Sequence, residues 1–249
     1  MKELSAREQV ARKKVCLPLD GLTSLVQVDD LVEELSPFVG LFKIGKESFT
    51  RFGPEIVARV RASGAGVFLD LKYHDIPNTV RGAARAAAQL GVEIFNVHAS
   101  GGSAMMAAAL AGIEDAAPRA GEAPKVIAVT ILTSIDRAIL NTECGVPGPL
   151  EDQVLRLALL AQGAGLDGIV CSAADLHALM GQLKPGFLFV TPGIKGTTTP
   201  AGEDQKRVLS PGRAVAAGSS LLVVGRAITG AHDRKAAALE VLRDIADVL

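Results

Sequence analysis

The sequence predicts an α/β protein, a closed (β/α)8 or TIM barrel formed as a single domain over residues 1–249. Three observations lead there. Eight short apolar runs, each of strand length, recur at 15–19, 41–44, 66–69, 93–97, 126–131, 168–171, 187–190 and 221–224. Segments of helical periodicity lie between them, and strands alternating with helices build parallel βα units. Eight such units in about 250 residues is the size of a closed barrel. An open doubly wound sheet is the competing arrangement, because alternation alone does not reveal closure.

Residues 1–14 are polar and charged and read as an extension ahead of the first strand. After run 15–19, Leu25, Val28, Leu31, Val32 and Leu35 keep helical spacing. After run 41–44, Ile56, Val57 and Val60 do the same, with Pro54 suited to a first helical turn. Run 66–69 leads into three charges, Asp70, Lys72 and Asp75. Pro77 then stops the extended segment. Asn78 or Thr79 is placed to cap a helix continued by Val80, Ala83, Ala84, Ala87 and Leu90. The stretches 150–164 and 236–249 are long and periodic, and no composition shift divides the chain.

Composition narrows the function classes. The chain is 49% hydrophobic and 21% charged, enough apolar residues for a large core. A net charge of −1 offers no basic surplus for nucleic acid and no charged tail. Cys16, Cys144 and Cys171 are odd in number and widely spaced, which argues against a disulfide framework or a zinc site. Cys16 and Cys171 fall in apolar runs and read as core packing. There is no apolar signal region, and no run reaches the ~18 apolar residues of a membrane span. The expected location is cytoplasmic, with no membrane partner.

Barrel active sites lie at the C-terminal ends of the strands. Polar residues gather after most of the apolar runs: Asp20, Lys43, Asp70 with Lys72, His98, Thr130 with Thr133 and Ser134, Cys171 with Ser172, Thr191, and Gly225 with Arg226. Asp70 and Lys72 are two apart, so in a regular strand they share a face. Opposite charges ending an apolar strand are costly unless paired or used. Each alone is also an ordinary strand-end ion pair or cap. Together, Asp20, Lys43, Asp70 and Lys72 would form an alternating row in which each charge keeps the next ionised. His98 is the histidine best placed for chemistry, although a hydrogen-bonded core residue is the simpler reading. No His/carboxylate spacing resembles a metal site, so no metal is expected. Gly225 lets a backbone approach an anion, Arg226 supplies a fork of donors, and the last two barrel loops often hold phosphate. Between them, the polar stretch 196–206 reads as a phosphate-gripping lid, with Lys195, Gln205, Lys206 and Arg207 in or beside it.

The stretch Asp70-x-Lys72-x-x-Asp75-Ile76-Pro77-Asn78-Thr79 resembles the active-site signature of the orotidine 5′-phosphate decarboxylase family in its bacterial form. The resemblance runs from Asp20 to Arg226. It includes Phe42-Lys43-Ile44-Gly45-Lys46, Asn96-Val97-His98-Ala99-Ser100-Gly101-Gly102, Thr130-Ile131-Leu132-Thr133-Ser134, Thr191-Pro192-Gly193-Ile194 and Val224-Gly225-Arg226. It implies a homodimeric barrel that converts orotidine 5′-phosphate to uridine 5′-phosphate and carbon dioxide, the last step of de novo pyrimidine nucleotide synthesis, with no metal or organic cofactor. Carried over, Lys72 is the proton donor and Asp70 lies against the leaving carboxylate. Asp20 and Lys43 hold the ribose hydroxyls. Asp75 and Thr79 reach the neighbouring subunit's site, Thr133 and Ser134 meet the base, and Gln205, Gly225 and Arg226 take the phosphate. Lys195 stands where the family's Pro-Gly-Ile-Arg has arginine, which keeps the charge and loses the fork. Two other readings compete: a magnesium-dependent sugar-phosphate decarboxylase or aldolase on the same barrel, and a catalytically silent phosphate-ligand binder.

Overall fold

The computed structural model describes residues 3–118, 123–194 and 209–249. Among them eight parallel strands close into a barrel in chain order. They are β1 (Val15–Pro18), β2 (Leu41–Gly45), β3 (Gly66–Tyr73), β4 (Ile94–His98), β5 (Lys125–Val129), β6 (Gly168–Val170), β7 (Leu188–Pro192) and β8 (Leu221–Val223). Every predicted run yields a strand, because parallel strands covered on both faces read as continuous apolar stretches. The open sheet is excluded. No helix among the described residues is long and apolar enough to cross a membrane.

The chain divides into two compact units, Met1–Leu71 with Thr191–Leu249, and Lys72–Val190. In the first, β1 pairs with β2 and with β8, and β2 pairs with β3. Cys16, Leu17, Phe42, Ile44, Leu69 and Leu222 form part of its core. Helix Leu25–Leu35 buries Val28, Leu31, Val32 and Leu35 at the predicted spacing, and the Ser24 side chain caps it. Helix Glu55–Ala62 buries Ile56, Val57 and Val60, with Pro54 at its N-cap. The polar N-terminal segment contains a helix, Ala6–Arg12, that the spacing of its apolar residues did not announce. Ser5 and Glu8 cap it reciprocally, Ala11 is buried, and the Arg12 guanidinium donates to the carbonyls of Ser36 and Val39.

In the second unit, β4 to β7 pair successively in parallel. Helices Pro77–Gln89 and Gly102–Ala116 pack closely, and a Cβ at Gly112 would lie 2.2 Å from the Arg81 carbonyl oxygen. Arg81 and Asp115 join the same two helices with hydrogen bonds of 2.6 and 2.7 Å. One expectation is corrected here. Neither Asn78 nor Thr79 caps the helix, which starts at Pro77 with Ile76 as N-cap and no side-chain cap. Proline at the first helical position sacrifices an N–H that has no partner there anyway, and its fixed φ suits the turn. Asn78 and Thr79 therefore lie inside the first turn.

Candidate active site

In the first unit, three members of the predicted charge row meet. The Leu19 N–H donates to the Lys43 carbonyl at 2.9 Å, which carries the β1–β2 ladder up to Asp20. The β2–β3 register sets Gly45 opposite Asp70. Lys43 Nζ then lies 3.4 Å from Asp20 Oδ1 and 3.3 Å from Asp70 Oδ2. The Lys43 and Asp70 side chains are 12% and 11% exposed, whereas Asp20 is 56% exposed. Burial presses the Lys43 ammonium to lose its proton, but the carboxylates of Asp70 and Asp20 outweigh it and raise its pKa above the ordinary lysine value. Asp20 keeps an open face from which a carboxylate can accept a ligand hydroxyl.

Gly45 makes room for this row. Its backbone (φ −84°, ψ 177°) suits any residue, yet a Cβ there would lie 3.1 Å from Lys43 Nζ and 3.3 Å from Asp20 Oδ1. The next helix, Lys46–Phe52, is tied to the end of β1 by the Ser48 hydroxyl, which donates to the Leu19 carbonyl.

The same unit carries the residues predicted for phosphate. Thr191 is fully buried near the end of β7 and accepts from the Ser219 hydroxyl at 2.8 Å. Gly193 has φ +76°, a left-handed conformation that glycine adopts without strain. At Gly225 a Cβ would stand 3.0 Å from Pro18 Cγ, so glycine lets the chain pass close over β1. Arg226 follows it, exposed, at the start of the short helix Arg226–Thr229. Lys195, Gln205, Lys206 and Arg207 lie outside the described residues.

In the second unit, Lys72 sits near the end of β3 with φ +52°. That is the left-handed region, rare for a residue with a Cβ. The regular alternation expected to place Asp70 and Lys72 on one face is therefore interrupted at Lys72. Its N–H donates to Oδ1 of the fully buried Asn96 at 2.7 Å. Burial pushes the neighbouring Tyr73 hydroxyl up to about 12. The His74 and His98 rings lie 5.3 Å apart between centroids. Asp75 is exposed, and its Oδ1 accepts from the Ile76 N–H at 2.6 Å. Thr79 is exposed on the following helix, and Thr133 and Ser134 are exposed just past β5. Thr130 is instead buried, its hydroxyl donating to the Val170 carbonyl at 3.1 Å. Among the described residues no cluster of three or more His, Cys, Asp or Glu side chains could hold a metal ion.

Comparison with known proteins decides the family. The model of the Orotidine 5′-phosphate decarboxylase / HUMPS family matches residues 13–241. The chain belongs to this family. It is 48% identical over 236 residues to the orotidine 5′-phosphate decarboxylase of Moorella thermoacetica, covering 94% of this chain and 93% of that protein. It is 50% identical over 216 residues to the enzyme of that name from Halorhodospira halophila, covering 87% of this chain and 89% of that protein. Among solved structures, the orotidine 5′-phosphate decarboxylase from Lactobacillus acidophilus superposes with a TM-score of 0.81 at 39% identity, covering 93% of this chain and 98% of that one. The family match spans every site residue from Asp20 to Arg226.

Sequence reasoning gave no role to Asn96 or Gly45. For Asn96 a signal was present: a carboxamide between Phe95 and Val97 in a buried strand needs a partner. For Gly45 there was none, since a glycine before a helix is commonplace.

Proposed function

We propose that this chain decarboxylates orotidine 5′-phosphate to uridine 5′-phosphate and carbon dioxide, the last step of de novo pyrimidine nucleotide synthesis. It does so as a cytoplasmic homodimer without metal or organic cofactor. The observation that carries the reading is the largely enclosed Lys43 ammonium held between Asp20 and Asp70 at the ends of adjacent strands, in a chain of this family. The relatives named above carry the same activity in their names.

Loss of carboxylate from the pyrimidine leaves a carbanion with little delocalisation. The Lys72 ammonium stabilises that charge as it develops and then delivers the proton. Asp70 stands beside the departing carboxylate, and the repulsion between them is relieved as carbon dioxide leaves. Lys43 pairs with Asp20 and Asp70 and fixes their direction, and with Asp20 it meets the ribose hydroxyls. Thr133 and Ser134 take the base. Gly225, Arg226 and Gln205 take the phosphate, with Lys195 as a point charge in place of a fork. Asp75 and Thr79, both exposed, enter the partner subunit's site.

The direct test is the loss of orotidine 5′-phosphate absorbance with purified protein, with and without a chelator. Equal turnover in both is expected. An untouched substrate would end the proposal. Turnover abolished by the chelator would replace the cofactor-free mechanism with a metal-assisted one.

Arg226→Met is expected to lower kcat/KM for orotidine 5′-phosphate about tenfold to a hundredfold, the worth of a charge-assisted bidentate contact. For orotidine, which lacks the phosphate, the loss should be small. Binding energy at a group remote from the reacting bond acts by holding the substrate for the chemical step. Equal losses on both substrates would mean that Arg226 supports the fold or the base pocket instead.

A further inference from the structure

We propose that Asn96 is the positioning residue of the proton donor, holding the Lys72 backbone in the conformation that aims its ammonium. The inference rests on the reading of Lys72 above. Among the described non-glycine residues only Lys72 and Ala117 have positive φ. Ala117 lies at a helix C-terminus, where a left-handed residue is ordinary. Lys72 lies next to the last residue of β3, where strand torsions would be expected instead of a positive φ. Such a conformation persists only when its surroundings enforce it, and such residues cluster at working sites.

Asn96 supplies the enforcement. It is fully buried between Phe95 and Val97, themselves fully buried, so its carboxamide is costly there without hydrogen bonds. Its backbone remains in the β4–β5 ladder opposite Ile127. Its side-chain Oδ1 takes the Lys72 N–H at 2.7 Å. A change in φ at Lys72 swings the Cβ and everything beyond it. The bond to Asn96 thus fixes the root of the side chain whose tip delivers the proton. Asn96 touches no reacting atom on this account.

The test compares wild type, Asn96→Ala, Asn96→Asp and Lys72→Ala. For Asn96→Ala, kcat should fall about tenfold to a hundredfold, the scale of a misplacement near 1 Å. The inhibition constant of uridine 5′-phosphate should stay within about threefold, since the ligand-binding residues are untouched. Asn96→Asp keeps an acceptor oxygen at the same place and should recover most of the rate. Should Asn96→Ala fail to fold, Asn96→Ser replaces it, because its shorter hydroxyl falls short of the Lys72 N–H. A readout independent of turnover is hydrogen exchange at the Lys72 amide. It should be slow in wild type and Asn96→Asp, and at least tenfold faster in Asn96→Ala. Unchanged kcat in a folded Asn96→Ala protein, a parallel loss of rate and product binding, or unchanged amide exchange would overturn the proposal. An inactive wild type, or an active Lys72→Ala, would defeat the functional reading instead, while amide exchange would still decide whether Asn96 holds the Lys72 backbone.

Discussion

Lys72→Ala should remove essentially all turnover, roughly a 10⁴-fold loss or more, while leaving a folded protein that binds uridine 5′-phosphate. General acid catalysis contributes about 10²–10⁴ and a charge placed at a developing anion about 10²–10³. Both are lost with the ammonium. The fold should survive, because alanine keeps the Lys72 N–H and its bond to Asn96. Single-turnover rates and a product-binding titration give the comparison, and near-normal turnover would sink the proton-donor role. The same variant tests the shared site. Mixed with an equally inactive Asp75→Ala protein, it should recover some activity once subunits have exchanged, because some sites then carry both residues intact. If exchange is confirmed by mass and no activity returns, Asp75 does not cross between subunits.

Lys43→Met should be the most damaging single change to stability among the site residues. It removes a cation 3.3 Å from Asp70, whose side chain is 11% exposed. Removing one partner of a buried pair costs about 3–5 kcal/mol, mostly as the penalty on the charge left behind. The loss should fall near the lower figure, because Lys43 is not wholly enclosed and its other partner, Asp20, is half in solvent. Denaturant unfolding at neutral pH measures it. The pH dependence carries a further mark. Lys43 has a raised pKa in the folded state, so its contribution is fully present below the ordinary value of 10.5 and is lost as pH rises through the raised one. The stability gap between wild type and variant should therefore be flat from neutral pH to about pH 10 and narrow above it. A gap that stays constant into strongly alkaline solution would mean that the Lys43 proton does not stabilise the fold.

The fold was legible because buried parallel strands announce themselves as uninterrupted apolar runs, and the helices between them carry a regular apolar stripe. Legibility faded where polarity took over. Strand β3 continues to Tyr73, four residues past its apolar run at 66–69, because hydrogen-bonded extension does not require apolar side chains. The cap expected from Asn78 or Thr79 failed because Pro77 could itself begin the helix. Within the site, Asp20, Lys43 and Asp70 could be grouped from their positions after successive strands. The face of Lys72 could not be read, since alternation assumes regular torsions and a lysine gives no warning of a positive φ. Its partner Asn96 lies 24 residues away on another strand, and no spacing rule links the two.

The pairing of β1 with β8 bears on how the molecule assembles in time. The unit that holds it joins both ends of the chain, with Arg234 and Glu34 in contact although 200 residues apart. The other unit, Lys72–Val190, is continuous, and its strands pair with their sequence neighbours. Closing a long loop is entropically costlier and slower than zipping adjacent βα units. Refolding should therefore order β4 to β6 early and the β1–β8 seam late. In pulsed hydrogen exchange, the amides of Leu222 and Val224, which donate to Lys14 and Cys16, should gain protection after those of β5. The reverse order would mean that the two ends of the chain meet before its middle has formed. With a late seam, substitutions there should speed unfolding and barely slow folding. Asp20 and Lys43 belong to the late-assembling unit, so a refolding chain should acquire its central strands before the ion row that the chemistry needs.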